Sequence, residues 1–418
     1  MVVKVNRRGK QKPGPTKGIG RSERRRNYFL SFFKKQPSHE HARFLTAVSV
    51  MVGTCIGAGF LGIPYVAAQA GFWVMVGYLL LFGLMIVFVN LFFGEVILRN
   101  RGNHQLSGFA EIYLGKRSKK VMFFFLKVSI ISALLAYMIG VGQGVSFLIF
   151  GNFEHEIALG ALFAFVMAGL IWKGIESLKQ YERIGVLAIF ILFIGTMVFF
   201  SRDIRVENLF TFNPVNIFVP IGVILFSLIE VYSLPEIKII LRRREDLMKK
   251  AIIVGTIIPI IFYFFFALVV VGSQGANTPE IATFSLGKIF IIIGMVAMFT
   301  SYLTLGISLQ RNYLVDYQKS RVVSWLWAAI FPITLFLLMK FFDFFSFITV
   351  LTIGGLLGGT VIVFLVLMIK EKAQIKKSRG GRKPEYKIKA SKLVIWILAI
   401  LFGFGLVVEI LKMFNILG

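Results

Sequence analysis

The sequence has few of the residues that a soluble enzyme needs. Only 16% of its 418 residues are charged and 57% are hydrophobic, which is too little polar surface for a water-soluble protein of this length. The single cysteine, Cys55, excludes a disulfide within the chain. The four histidines fall outside the hydrophobic runs, and no cluster of metal ligands or nucleophiles is visible. We therefore expect an integral membrane protein that is not an enzyme and holds no organic cofactor.

Long hydrophobic runs are abundant instead. About eleven of them are long enough to cross roughly 30 Å of hydrocarbon. The 47 basic residues outnumber the 20 acidic ones, and they gather in the first 41 residues and in alternate loops. This alternation predicts a multi-pass plasma-membrane protein with a cytoplasmic N-terminus and a C-terminus outside. A basic tail can also bind nucleic acid or anionic lipid. The alternation of basic loops instead favours a disordered tail that sets the membrane topology, so we expect the lipid bilayer and not nucleic acid as the partner.

The first hydrophobic run, about 42–70, contains a stretch that disfavours a continuous helix. Four glycines and Pro64 lie between Gly53 and Tyr65. A helix break within hydrocarbon must face protein, water or a ligand. Carbonyls that end one half-helix and N–H groups that begin the next can hold the ammonium and the carboxylate of an amino acid. The alternative is close helix packing through the GxxxG spacing of Gly53 and Gly57.

A second break is predicted in the sixth run, about 214–241, where polar residues occupy 227–236. Pro64 and Pro235 each follow a break, and proline is tolerated at the first turn of a restarting helix. The first run crosses outwards and the sixth inwards, which is typical of two five-helix halves in inverted topology with a binding site between them. The predicted parts are a basic disordered cytoplasmic tail (1–41), a first five-helix half (42–201) and a second five-helix half (202–369). A basic cytoplasmic loop and an eleventh helix follow (370–418).

The sequence resembles a known transporter family. Residues 57–65, GAGFLGIPY, are similar to the first-helix motif of the amino acid/auxin permease family, which includes aromatic amino acid permeases and belongs to the amino acid–polyamine–organocation superfamily. Weaker similarities follow in order: GEVILR at 94–99, ALLAY at 133–137, LPEI at 234–237 and FTSYL at 299–303.

This resemblance implies an all-α membrane protein with the leucine-transporter-type fold. The fold would have about 11 transmembrane helices, with discontinuous helices 1 and 6 in a five-plus-five inverted repeat and an eleventh helix at the end. The resemblance also implies cation-coupled uptake of a small-molecule amino acid. The sequence departs from the family pattern at Glu230, where relatives usually have a small residue, often glycine.

The residues expected to bind substrate surround the two breaks. N–H groups around 57–60 suit the carboxylate, because helix N-termini bind anions and glycines allow close approach. Carbonyls near 54–55 and 226–227 suit the ammonium. Tyr137 could donate its hydroxyl to the carboxylate, or serve only in packing. The predicted substrate-binding residues are Thr54, Cys55, Gly57, Ala58, Gly59, Phe60, Tyr137, Phe226, Ser227, Glu230 and Tyr232.

Two candidate sites for a coupling cation remain open. Thr300 and Ser301 are adjacent hydroxyls in the eighth run, and with carbonyls of the first run they could bind Na⁺; the alternative is hydrogen bonding to carbonyls of their own helix. Glu230 is costly at mid-membrane, and burial favours its protonated form, so it could carry a coupling proton. It could also be a counter-ion for a cationic substrate, or belong to a structural ion pair.

These patterns predict a secondary active amino acid transporter that works by alternating access and is coupled to H⁺ or Na⁺. One alternative is a cationic amino acid or polyamine transporter with Glu230 as counter-ion. Another is an amino acid sensor that binds without transport. A channel is disfavoured because paired breaks predict a small enclosed site and no run shows a repeated polar stripe.

Overall fold

The fold is all-helical over the residues that the computed structural model describes, which are 40–173, 175–342, 346–375, 382–389 and 391–413. No strand occurs within these ranges. The predicted basic tail lies almost entirely outside them, as does part of the basic loop before the last helix, so neither is described further.

Within the described residues, eight helical segments are long and apolar enough to cross a membrane. We number the spans 1 to 11 in chain order. Spans 2 to 5 are Phe72–Arg99, Lys116–Phe150, Glu156–Lys173 and Ile175–Phe200. Spans 7 to 10 begin with the helices Met248–Gln274, Lys288–Arg311, Arg321–Trp325 and Phe347–Ile353, and spans 9 and 10 continue through π-helical turns to Phe341 and Ile375.

With the bent pair of span 1, the described residues hold up to nine such spans, and shorter helices occupy the predicted sixth and eleventh runs. Span 1 is the pair Glu40–Cys55 and Gly59–Ala70, bent by 50° at the break. Span 6 is the pair Pro220–Leu228 and Leu234–Ile240, separated by a short 3₁₀ turn. Span 11 is the helix Lys392–Met413. The prediction that spans 1 and 6 are discontinuous is therefore confirmed, whereas the boundaries given for the two halves stay a prediction.

The predicted start of the sixth run is wrong, and the helices near two polar segments were not predicted. Span 5 begins at Ile175, well before its most hydrophobic part. The polar stretch after span 2 contains the helix Leu106–Leu114. Span 6 begins at Pro220 and not near 214, since a 3₁₀ turn occupies Pro214–Asn216.

The spans pack in two groups around the breaks. Spans 1, 2, 6 and 7 contact one another, and spans 3, 4, 8 and 9 form a second group. Span 5 lies against spans 1, 7 and 8, while span 10 lies against spans 2, 3 and 6. Large apolar side chains such as Leu80, Phe165 and Phe199 are exposed on outward faces, as expected for helices that face lipid. Both breaks lie between the two groups.

Candidate functional site

The break in span 1 interrupts the helical hydrogen bonds at a buried position. The first half-helix ends at Cys55, and the second begins at Gly59. The N–H of Gly57 turns back onto the carbonyl of Cys55 at 2.9 Å, outside any helical ladder. The first N–H groups of the new helix have no partners within it, so this end can receive an anion.

The break in span 6 meets the break in span 1 directly. The Cys55 thiol donates to the carbonyl of Ser227 at 2.9 Å. A Cβ placed at Gly59 would overlap the Ser227 side chain and approach its Cα to 2.9 Å. Gly59 therefore allows the two spans to approach closely, and the side of Gly59 that would carry a Cβ is covered by Ser227.

A tyrosine that the sequence analysis missed joins the two carbonyl ends. The hydroxyl of Tyr263, in span 7, lies 2.8 Å from the carbonyl oxygen of Cys55 and 2.9 Å from that of Ser227. Tyr263 is fully buried. These two carbonyls belong to the set predicted to hold a substrate ammonium, and the hydroxyl now supplies a hydrogen-bond donor between them.

A small cavity lies beside the two breaks. Its walls come from spans 1, 3, 6 and 8, and no described residue among them is charged. Predicted site residues in the lining are Thr54, Cys55, Gly57, Tyr137, Phe226 and Tyr232. Residues that the sequence analysis did not single out are Ser129, Ile130, Ala133, Ile229 and Leu305. The cavity lining is thus uncharged and combines apolar side chains with the hydroxyls of Thr54, Ser129, Tyr137 and Tyr232.

Tyr137 lies where the substrate carboxylate was predicted to bind. Its hydroxyl lies close to the backbone N–H of Ala58 and to the Ser301 side chain. A Cβ at Gly57 would overlap this hydroxyl. Tyr137 therefore contacts the N–H groups of the break directly, and Gly57 leaves room for it.

The other predicted substrate residues do not line the cavity. Ala58, Phe60 and Ser227 are buried, as is Glu230. The ring of Phe60 packs edge-on against Phe262 and Phe266 of span 7, with centroids 5.4 and 5.2 Å apart. Its side chain therefore belongs to the packing between spans 1 and 7.

Glu230 points towards spans 2 and 7. Its Oε1 accepts hydrogen bonds from Asn90 Nδ2 at 2.9 Å and from the Thr256 hydroxyl. Its Oε2 and Asn90 Oδ1 are buried with no hydrogen-bond partner among the described residues. Asn90 and Thr256 were not singled out in the sequence, because an isolated polar residue in a span does not indicate which partner it faces.

The two candidate cation ligands make different contacts. Ser301 Oγ lies 3.1 Å from the carbonyl oxygen of Gly53 and 3.4 Å from that of Ile56, both in span 1. Thr300 donates to the carbonyl of Ala297 in its own helix at 3.0 Å. Oxygen atoms from spans 1 and 8 therefore converge beside the break, although the Thr300 hydroxyl is used within its helix.

An ion pair joins the two helix groups farther along spans 6 and 8. Arg311 donates to Glu236 Oε1 at 2.5 Å, and both side chains are largely buried. Glu236 lies one turn beyond Tyr232, and Arg311 lies six residues beyond Leu305. The pair therefore crosses between the two groups beyond the cavity residues.

Two discontinuous helices whose broken ends meet at a central cavity define the leucine-transporter-type fold. The crystal structure of MhsT in complex with L-phenylalanine has this architecture and superposes with a TM-score of 0.61. The alignment covers 90% of this chain and 99% of MhsT, at 15% identity.

Sequence comparison then identifies the family. A profile of the tryptophan/tyrosine permease family matches residues 40–411, so the chain belongs to that family and is a permease and not an enzyme. It is 24% identical over 200 residues to the amino acid transporter AVT1H of Arabidopsis thaliana, and 24% identical over 160 residues to tyrosine-specific transport system 1 of Haemophilus influenzae. These matches cover 44% and 38% of this chain, and 46% and 40% of the two relatives, so the chain aligns with less than half of either.

Proposed function

We propose that the protein is a secondary active transporter of neutral, aromatic amino acids, coupled to a cation and working by alternating access. The observation that carries this proposal is the uncharged cavity beside the two broken spans, which is lined by residues of the first break, such as Gly57, and of the second, such as Ile229. Helix ends at such a site can neutralise the charges of a zwitterion, and the uncharged lining suits a neutral side chain.

The cavity lining favours a neutral substrate over a cationic one. A lysine or polyamine ammonium would need a carboxylate in the cavity to offset its desolvation. Glu230 does not line the cavity, and its Oε1 is bound to Asn90 and Thr256. Aromatic substrates are further supported by the name of the family, by the tyrosine-specific relative and by the phenylalanine bound to MhsT.

Two groups of residues support the proposed coupling to a cation. A charged Glu230 would leave Oε2 buried without a donor, so the neutral acid suits this environment and the residue can carry a proton. Ser301, with the carbonyls of Gly53 and Ile56, offers oxygen ligands of the kind that hard cations bind. Ser301 also contacts Tyr137, which links this site to the substrate site.

The membrane location and orientation are part of the same proposal. The alternation of basic loops supports a plasma-membrane transporter with its N-terminus in the cytoplasm and its C-terminus outside. In this orientation the Glu236–Arg311 pair lies on the cytoplasmic side of the cavity and would have to separate for substrate to pass that way.

Uptake by purified protein in liposomes tests this proposal. Labelled tyrosine should enter, and unlabelled tryptophan and phenylalanine should compete with it, whereas lysine and spermidine should not. Competition by lysine alone would favour the cationic-substrate alternative. Saturable binding of tyrosine without any uptake would favour a sensor.

A further inference from the structure

A pair of hydroxyl groups lies at one end of the cavity. Ser129 Oγ, in span 3, and the Tyr232 hydroxyl, in span 6, are 2.6 Å apart. Both residues line the cavity and are buried. The neighbouring lining residues Ile130, Ala133 and Ile229 are apolar. A polar pair in an apolar wall is costly unless its hydrogen bonds are used.

The pair is far enough from the break to contact the distal end of a substrate. Ser129 and Tyr137 are eight residues apart on the same helix, which is about 12 Å along its axis. Tyr137 contacts the N–H groups at the break, where the carboxylate would bind. An aromatic amino acid with its carboxylate near Tyr137 would therefore direct its ring towards Ser129 and Tyr232.

The pair retains hydrogen-bonding capacity after its internal bond is made. Two hydroxyls have two donor hydrogens and four lone pairs, and the bond between them uses one of each. One donor and three acceptor positions remain. Hence the pair can both donate to and accept from a phenol, and it can accept from an indole N–H. It offers nothing equivalent to an unsubstituted phenyl ring.

Span 10 holds Ser129 in place. A Cβ at Gly358 would come within 3 Å of the backbone N, Cα and Cβ of Ser129. Gly358 belongs to the π-helical turn Gly354–Gly359, whose glycines let span 10 approach span 3 without an intervening side chain. The position of the Ser129 hydroxyl is therefore set by backbone packing.

We propose that the Ser129–Tyr232 pair determines specificity, selecting aromatic amino acids that carry a hydrogen-bonding group on the ring over phenylalanine. The inference rests on the proposed function, because it assigns the substrate side chain to this cavity. The discrimination is modest, because the two hydroxyls satisfy each other when a phenyl ring is bound.

The test compares KM values for tyrosine, tryptophan and phenylalanine in Ser129→Ala and Tyr232→Phe. Each change removes one hydroxyl and little volume. KM for tyrosine should rise about tenfold, the equivalent of one net hydrogen bond, while KM for phenylalanine changes less than about threefold. Retained phenylalanine uptake also shows that each variant is folded.

Two matched changes outside the cavity serve as controls. Ser146→Ala removes a buried span 3 hydroxyl that donates to the Asn152 carbonyl, and Tyr113→Phe removes a phenol that contacts Asn100. Neither should alter the ratio of the tyrosine and phenylalanine KM values. If uptake is preserved in Ser129→Ala and Tyr232→Phe but the ratio of the tyrosine and phenylalanine KM values is unchanged, the role assigned to the pair is wrong, while the proposed function still stands. No uptake of any amino acid by the unaltered protein would instead overturn the proposed function.

Discussion

Glu230 lies at the meeting point of three spans, and its surroundings indicate how a carboxyl group can be kept in the membrane. Asn90 and Thr256 both donate to one of its oxygens. The second oxygen has no partner among the described residues. A protonated carboxyl group needs fewer donors than a carboxylate, so this arrangement suits a group that holds a proton during part of the transport cycle.

Glu230→Gln tests this role. Glutamine retains an acceptor for Asn90 and Thr256 and mimics the neutral acid, but it cannot release a proton. A pH gradient should no longer drive tyrosine accumulation, whereas exchange of internal for external tyrosine should continue. Both are measured in the same proteoliposomes.

The control for Glu230→Gln is Glu111→Gln, which removes a carboxylate that lies outside the spans and is paired with Lys119 at the start of span 3. It should behave like the unaltered protein. If Glu230→Gln accumulates tyrosine normally, the carboxyl group is structural and the proton is carried elsewhere. A loss of lysine uptake alone would instead assign Glu230 as a counter-ion.

The broken spans show what could be predicted from sequence at the scale of whole helices. Glycines in 53–62 and Pro64 indicated the first break, and polar residues before Pro235 indicated the second, because both patterns are incompatible with a continuous helix in hydrocarbon. The geometry confirms both breaks.

The contacts between spans were less accessible to prediction. Tyr263 and Thr256 lie in a run that is otherwise almost wholly apolar, so periodicity does not indicate which face they occupy. Their contacts with Cys55 and Glu230 depend on how span 7 packs against spans 1 and 6. Similarly, Ser129 is an unremarkable serine in the sequence, and only the fold brings it to Tyr232. Long-range packing of this kind has no local sequence pattern.

Span 8 carries the second prediction about coupling. If Ser301 and the span 1 carbonyls bind Na⁺, tyrosine uptake should depend on external Na⁺. The double change Ser301→Ala and Thr300→Ala should then weaken the apparent Na⁺ affinity by about tenfold or more, since each removes an oxygen ligand. The measurement is uptake as a function of Na⁺ concentration. Ser308→Ala, a change at a buried serine farther along the same helix, is the matched control.

Full uptake by the unaltered protein in Na⁺-free buffer would contradict sodium coupling. Thr300 and Ser301 would then have a structural role. For Thr300 this agrees with the hydrogen bond from its hydroxyl to the Ala297 carbonyl of the same helix. Protons would remain as the coupling ion, and the Glu230→Gln result would decide that case.

The whole molecule combines two helix groups with a binding cavity between them. Spans 1 and 6 of the first group contribute the breaks, and spans 3 and 8 of the second group contribute the opposing wall. Movement of one group relative to the other would expose the cavity to each side of the membrane in turn, as in transporters with discontinuous helices. The contacts that must change in such a movement include the ion pair between Glu236 and Arg311.

The most direct test of the central claim is accumulation of labelled tyrosine in proteoliposomes under an imposed Na⁺ or pH gradient. The account predicts an internal concentration above the external one, which collapses to equality when an ionophore dissipates the gradient. Gly57→Ala places a methyl group on the Tyr137 hydroxyl and should lower the rate by about 100-fold. Gly77→Ala, which meets only open space, should leave it unchanged. Equilibration without accumulation under either gradient would contradict secondary active transport.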